Sequence, residues 1–227
     1  MVAAAHAHVQ RMADRRTWGM NDVRGAFLDA ARVVAELLGR RDVGDRWHDQ
    51  SVLEGLTIGA LAGHLGRGIL TPHWYLDMPE PDPPAVDAAT YFARFAESTA
   101  DAATDAAIRS RSEEMAAAGW ARLYLDVGRA RDTLAERLET EPVDKLVPAM
   151  GLALVVDEYL KTRIVELVVH LGDLTRSLAL PLPDLAGAKD IAIDVLIETA
   201  KARHGRDAVL HALARRELDQ RQALRVL

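Results

Sequence analysis

The chain has 227 residues, 49% of them hydrophobic and 27% charged, with a formal net charge of -6 and a pI near 5.8. That is long enough to bury a sizeable core, ordinary for a globular protein, and too acidic to leave an electrostatic footprint for nucleic acid or acidic lipid. There is no cysteine, which excludes disulfides, thiolate metal sites and cysteine nucleophiles, so any thiol chemistry needs a thiol carried in by a small molecule.

No run approaches the roughly 20 apolar residues of a membrane span. The N-terminal MVAAAHAHVQRMADRR lacks an apolar core followed by a cleavage site, so the expectation is a cytoplasmic protein. From there on, almost every periodic segment has helical spacing. Asn21 is placed to cap a helix whose apolar face runs Val23, Phe27, Ala30, Val34 and Leu37, with Gly39 near its end. A loop with Trp47 and His48 follows. Thr57 reads as the N-cap of IGALAGHLGRGIL, whose inner stripe is Ile58, Leu61, Leu65 and Ile69. The connector PEPDPPAVD, Pro79 to Asp87, stops any helix.

Ala88 to Glu139 divides into two or three helical pieces with a break at Gly119. The last presents Leu123, Val127, Ala130, Leu134 and Leu138 on one face. LVPAMGLALVV, Leu146 to Val156, suits an extended crossing, because Pro148 and Gly151 both disfavour helix. Asp157 is placed to cap the next helix, which LPLPDLAG ends. The tail from Ala188 reads as two short helices parted near His204 and Gly205. With no convincing strand alternation and no internal repeat, the pattern predicts an all-α fold. Its expected parts are an N-terminal arm over 1–18, a four-helix bundle with long connections over 19–182, and a small helical C-terminal extension over 183–227.

One helix of that bundle breaks the apolar rule. RIVELVVHLGDL, Arg163 to Leu174, carries Glu166 and His170 among Ile164, Val165, Leu167, Val168, Val169 and Leu171. Residues four apart on an α-helix differ by about 40° around the axis, so the two side chains leave one face. A carboxylate and an imidazole there suit zinc or, less selectively, nickel, iron or manganese. His64 supplies a third donor from the inner stripe of the earlier helix. Three protein ligands would leave a position open for water or substrate, as in a catalytic site. An E-x-x-x-H pair also recurs by chance as an ion pair, and an inward histidine is often only a hydrogen-bonded core residue.

GLTIGALAGHL after a Trp-containing loop, followed by DEYLKTRIVELVVHLGDL about a hundred residues later, resembles the N-terminal domain of the mycothiol-dependent maleylpyruvate isomerases. The resemblance covers roughly Asn21 to Leu180 and implies a DinB-like four-helix bundle. It implies a divalent metal, typically zinc, held by a histidine on the second bundle helix and by the E-x-x-x-H pair on the fourth. Matched residue by residue, these are His64, Glu166 and His170. It further implies mycothiol as thiol cosubstrate and an electrophilic small molecule as its partner, hence an S-transferase or a thiol-assisted isomerase in which the metal activates the thiol. A DinB-like metal-binding or stress-related module without turnover is the alternative. The named isomerases carry a larger C-terminal domain, whereas about forty residues follow Gly187 here, so no arginine of that domain is matched.

Asp173, three residues past His170, is placed either to orient that ligand or to pair with Arg176. Arg163 is a candidate to pair with Glu166 or to meet an anionic substrate, and Arg67 to face the pocket mouth or simply to be solvated. Trp47, Trp74 and Tyr75 are candidate pocket walls or core lids. His73, His204 and His211 lack donors at ligand spacing, and His6 and His8 form a weak H-x-H in the expected arm.

Overall fold

Helical periodicity dictates most of what the chain forms. The computed structural model describes residues 20–99, 102–215, 224 and 226, so the expected arm over 1–18, with His6 and His8, lies outside the described residues. Helices α1 (Met20–Leu38), α3 (Ile58–Tyr75), α6 (Trp120–Arg137) and α7 (Val156–Ser177) form the bundle. In it α1 packs on α6 and α7, and α3 packs on the same two. The remaining elements are α2 (Arg41–Asp45), α4 (Ala88–Thr99), α5 (Ala102–Ala117), β1 (Leu146–Ala149), β2 (Leu152–Val155), α8 (Ala186–His204) and α9 (Arg206–Ala214). Among the described residues the fold is all-α but for that one hairpin. No described helix is long and apolar enough to cross a membrane.

The expected stripes form the core. Phe27, Val34, Ile58, Leu61, Leu65, Ile69, Val127 and Leu134 are all buried, as are Ile164, Leu167 and Leu171 of α7. Thr57 caps α3 as expected, its hydroxyl accepting from the Ala60 N–H at 3.0 Å. The break at Gly119 is real: its φ of 83° is open to glycine and separates α5 from α6.

Three local readings need correction. Asn21 does not cap α1, because it lies inside the helix. Asp157 does not cap α7 either. The helix starts at Val156 without a side-chain cap, and the Asp157 carboxylate instead accepts from Nε of the buried Arg24 at 2.8 Å. Arg24 also donates through Nη1 to the carbonyls of Leu138 and Glu141, so this cation ties α1 to the end of α6 and the start of α7. A buried guanidinium needs a counter-charge more than a helix end needs a cap.

The third correction concerns residues 146–155, which fold back as an antiparallel hairpin pairing Leu146 with Val155 and Ala149 with Leu152. Met150 and Gly151 turn it with φ of 53° and 77°, the doubly positive geometry of a tight type I′ turn. Strands of four residues are too short for alternation to stand out. In the tail, Gly205 parts α8 from α9 as expected, but α8 is a full helix of 19 residues. Its Ala188, Ile191 and Ala192 belong to the same buried cluster as the bundle.

Candidate metal centre

Two helix stripes face each other inside the bundle. On α7, Tyr159, Arg163, Glu166, His170 and Asp173 recur at alternating four- and three-residue steps, one continuous face. On α3, His64, Arg67, Thr71 and Tyr75 follow at steps of three, four and four, again one face. The helices approach closely because Gly68 of α3 sits against Leu167 of α7, where an added Cβ would lie 2.8 Å from the leucine Cδ2. The Tyr159 hydroxyl joins the stripes, donating to the Thr71 hydroxyl at 2.8 Å, and its ring lies 5.4 Å from that of Tyr75.

Where the stripes meet, His64 Nε2 lies 3.2 Å from Glu166 Oε2, and His170 Nε2 lies 3.4 Å from the same oxygen. The two imidazole rings stand edge to face with centroids 4.5 Å apart. One donor atom from each of the three residues falls within 4.8 Å of the others. Their side chains keep about a fifth of their surface exposed, enough for a small molecule to reach them.

The far side of each ring is anchored. His170 Nδ1 donates to Asp173 Oδ2 at 2.9 Å, and Asp173, only 7% exposed, also accepts from Arg176. Asp173 therefore fixes the His170 ring and pairs with Arg176 at once. On the other ring, His64 Nδ1 stands 3.3 Å from the Ser112 hydroxyl, which itself donates to the Ile108 carbonyl. With its proton spent there, the serine oxygen accepts from His64 Nδ1–H. Each hydrogen bond keeps a proton on Nδ1, so that an Nε2 relieved of its own proton would offer the lone pair a metal ligand needs.

The donor set fits a divalent ion on its own chemistry. Two Nε2 lone pairs and a carboxylate oxygen face one another, and acceptors at 3.2–3.4 Å need a cation or a proton between them. Bonds of 2.0–2.1 Å at tetrahedral angles put neighbouring donors about 3.3 Å apart, which is the spacing of each imidazole from Glu166. Burial opposes charge on Glu166. Hydrogen bonds from His170 and His64, with Arg163 nearby, nevertheless hold its carboxyl well below the usual carboxylate range. Burial also works against a charged His170, yet its bonds to Asp173 and Glu166 prevail and push its pKa up to about 9. The local field favours positive charge at the meeting point.

The three donors open onto a cavity of about 500 Å³ between α3, α4, α5, α7 and the hairpin, within the usual range for small-molecule sites. Apolar walls come from Leu56, Phe95, Ile108, Met150 and Val165. Val169, 40% exposed, is not a core residue but another cavity wall. Tyr75, Arg67 and Arg163 line the cavity as well. Trp47 does not; it is buried against Gly59. Trp74 is 42% exposed and outside the lining. His73, His204 and His211 join no group of potential ligands among the described residues.

Sequence reasoning missed Ser112 and Arg111 on α5 and Tyr91 on α4. Helix α5, AATDAAIRSRSEEMAA, has no apolar stripe to say which face turns inward. Tyr159 was legible, four residues before Arg163 on the face that carries Glu166.

The family described as "Mycothiol maleylpyruvate isomerase N-terminal domain" matches residues 27–175, more than half of the chain and all three converging donors. No curated protein and no solved structure matches.

Proposed function

The chain belongs to the mycothiol maleylpyruvate isomerase N-terminal domain family, and from that premise we propose that it is a cytoplasmic, metal-dependent enzyme that joins a low-molecular-weight thiol to an electrophilic small molecule, as an S-transferase or thiol-assisted isomerase. In this reading His64, Glu166 and His170 hold one divalent ion, zinc by preference, and mycothiol is the thiol. The observation that carries it is the convergence of two anchored imidazoles on one Glu166 oxygen, at 3.2 and 3.4 Å, on the wall of a 500 Å³ cavity. When bound, the metal supplies Lewis-acid chemistry that lowers the pKa of a thiol reaching it, so that a thiolate is available near neutral pH without any protein cysteine.

The chain's own residues do the rest. Asp173 and Ser112 hold the two imidazoles by their Nδ1–H groups, so both Nε2 atoms stay aimed at the same point as ligands exchange. Glu166 lowers the net charge of the site. The apolar walls exclude bulk water around the reacting sulfur and carbon, which favours attack on the electrophile over its hydrolysis. A cavity this size, open to the donors, favours turnover over a metal-binding module without catalysis.

The test is a thiol titration of the cobalt-substituted protein. An intense sulfur-to-metal charge-transfer band should grow in well below the free thiol's pKa, at lower concentration with mycothiol than with a simple alkyl thiol. It should be absent from folded Glu166→Ala and His170→Ala proteins. A cobalt spectrum untouched by any thiol sinks the thiol-transfer reading and leaves the metal module as the better account.

A further inference from the structure

The hairpin is fixed along its strands and projects at its tip. The Val156 N–H donates to the Lys145 carbonyl at 3.0 Å, and the Val86 N–H, from the connector before α4, donates to the Ala153 carbonyl at 2.8 Å. The Leu146 N–H donates to Glu80 Oε2 at 3.2 Å. Val147, Ala149 and Leu154 are buried in the core. Past Ala149 the chain leaves that core. Met150 is 55% exposed, yet it lines the cavity beside Ala149.

Among the described residues two non-glycines have positive φ, Met150 at 53° and Ala179 at 55°. Ala179 follows the last turn of α7, where its N–H and that of Leu180 donate back to the carbonyls of Arg176 and Thr175, the usual left-handed end of a helix. Met150 is the less expected of the two. It holds the first position of a type I′ turn, where Gly, Asn or Asp adopts positive φ most easily. A long side chain there costs conformational energy that asparagine would spare the fold. The core gains nothing in return, because Met150 is not part of the buried cluster. What its side chain does border is the cavity, with Leu56, Phe95 and Ile108 among the other apolar walls. Methionine is unbranched and polarizable, with three rotatable bonds, so it moulds itself against irregular apolar shapes. Local strain retained at the wall of a ligand cavity points to function.

We infer that Met150 is a specificity-determining residue, whose thioether side chain closes over the cavity mouth onto an uncharged hydrocarbon group, aliphatic or aromatic, of the small molecule bound there. A polar residue at the tip would leave that group facing water. The inference rests on the proposed function only in naming that molecule as the electrophile; the apolar wall stands without it.

Fluorescence titration with prodan, a neutral naphthalene dye sensitive to apolar surroundings, tests it. The wild-type protein should bind the dye. Met150→Asn should bind it about fivefold more weakly or worse, while its melting temperature rises by about 2 °C or more, because asparagine suits the turn. Met150→Leu, apolar at the same place, should keep the affinity within about twofold. Leu210→Asn, on α9 and outside the cavity lining, should not change it. A residue that only supports the turn would lose stability and affinity together. No dye binding by the wild type, unchanged affinity in Met150→Asn, or affinity and stability lost together, overturns the inference. Should the variants misfold, the wild-type protein still decides. Dilute hydrogen peroxide converts an exposed thioether to its sulfoxide, with water as the other product. Saturating prodan should slow this at Met150 by about threefold or more, but not at Met78, which is 45% exposed and outside the cavity lining. Equal rates at Met150 with and without dye, mapped by mass spectrometry, overturn the inference. Neither readout uses a thiol or a metal, so the two readings fail separately: a silent cobalt spectrum leaves the apolar wall standing, and absent dye binding leaves the charge-transfer test intact.

Discussion

His64 Nε2 and Glu166 Oε2 lie 3.2 Å apart although 102 positions separate them in the chain. With His170 they should bind about one divalent ion per chain. His64→Ala, Glu166→Ala and His170→Ala should each lower zinc affinity by more than about 100-fold, since each removes a direct ligand. His73→Ala should leave it unchanged. Competition against a chromophoric chelator measures this, and full metal retention in a His64→Ala, His170→Ala double variant would show that the site lies elsewhere.

The anchors behind the rings should matter less, and unequally. Asp173→Asn leaves His170 Nδ1–H without a charged acceptor, so zinc affinity should fall by about 10–100-fold. Ser112→Ala removes a longer, neutral contact at 3.3 Å and should cost less than Asp173→Asn in the same assay. Identical affinities in both variants and wild type would remove Ser112 and Asp173 from the site.

Metal-stripped protein should lose stability as pH rises from about 6.5 to 9. The folded pKa of His170, about 9, lies above the ordinary imidazole value of 6.5. The native state therefore binds a proton that the unfolded chain has already released. Its stabilising contribution is fully present below pH 6.5 and disappears as pH passes through 9. Glu166 acts in the opposite range, its contribution being lost only as pH falls below the usual carboxylate pKa. Thermal melts across pH 6–9.5 check the first window. The decline should flatten in His170→Gln, and an equally steep decline there would assign the effect to other groups.

Gly63→Ala should destabilise the protein by about 1–3 kcal/mol. A Cβ there would sit 2.5 Å from the Ser112 carbonyl oxygen on α5, and a backbone atom cannot swing aside as a side chain can. The displaced α5 should also weaken the Ser112–His64 contact, so zinc affinity should drop in parallel. Chemical denaturation measures the first effect, and unchanged stability would mean that α5 is not held against α3 at this point.

Two polar residues in RIVELVVHLGDL were visible as an anomaly because helical spacing is local: Glu166 and His170 must leave one face wherever the helix lies. The Thr57 cap, the Gly119 break and the stripe of Ile58, Leu61 and Leu65 were legible for the same reason, each depending on residues within a turn or two. Asp157 shows where that reasoning stops. Its position at a helix start promises a cap, but a buried Arg24 from a distant helix claims the carboxylate. The turn at Met150 and Gly151 likewise depends on two strands finding each other.

The sequence by itself determined that this chain is helical, that it lacks a thiol of its own, and that His64, Glu166 and His170 are chemically able to hold a metal. Only the tertiary structure decided that Ser112 and Asp173 orient the two rings and that Arg111 joins Arg67 and Arg163 in one cavity. Helix α5 carries no stripe to declare its inward face, so nothing local assigns Ser112 and Arg111 a direction. The contact of Gly63 with the α5 backbone does that, because two helices can approach so closely only where a side chain is missing.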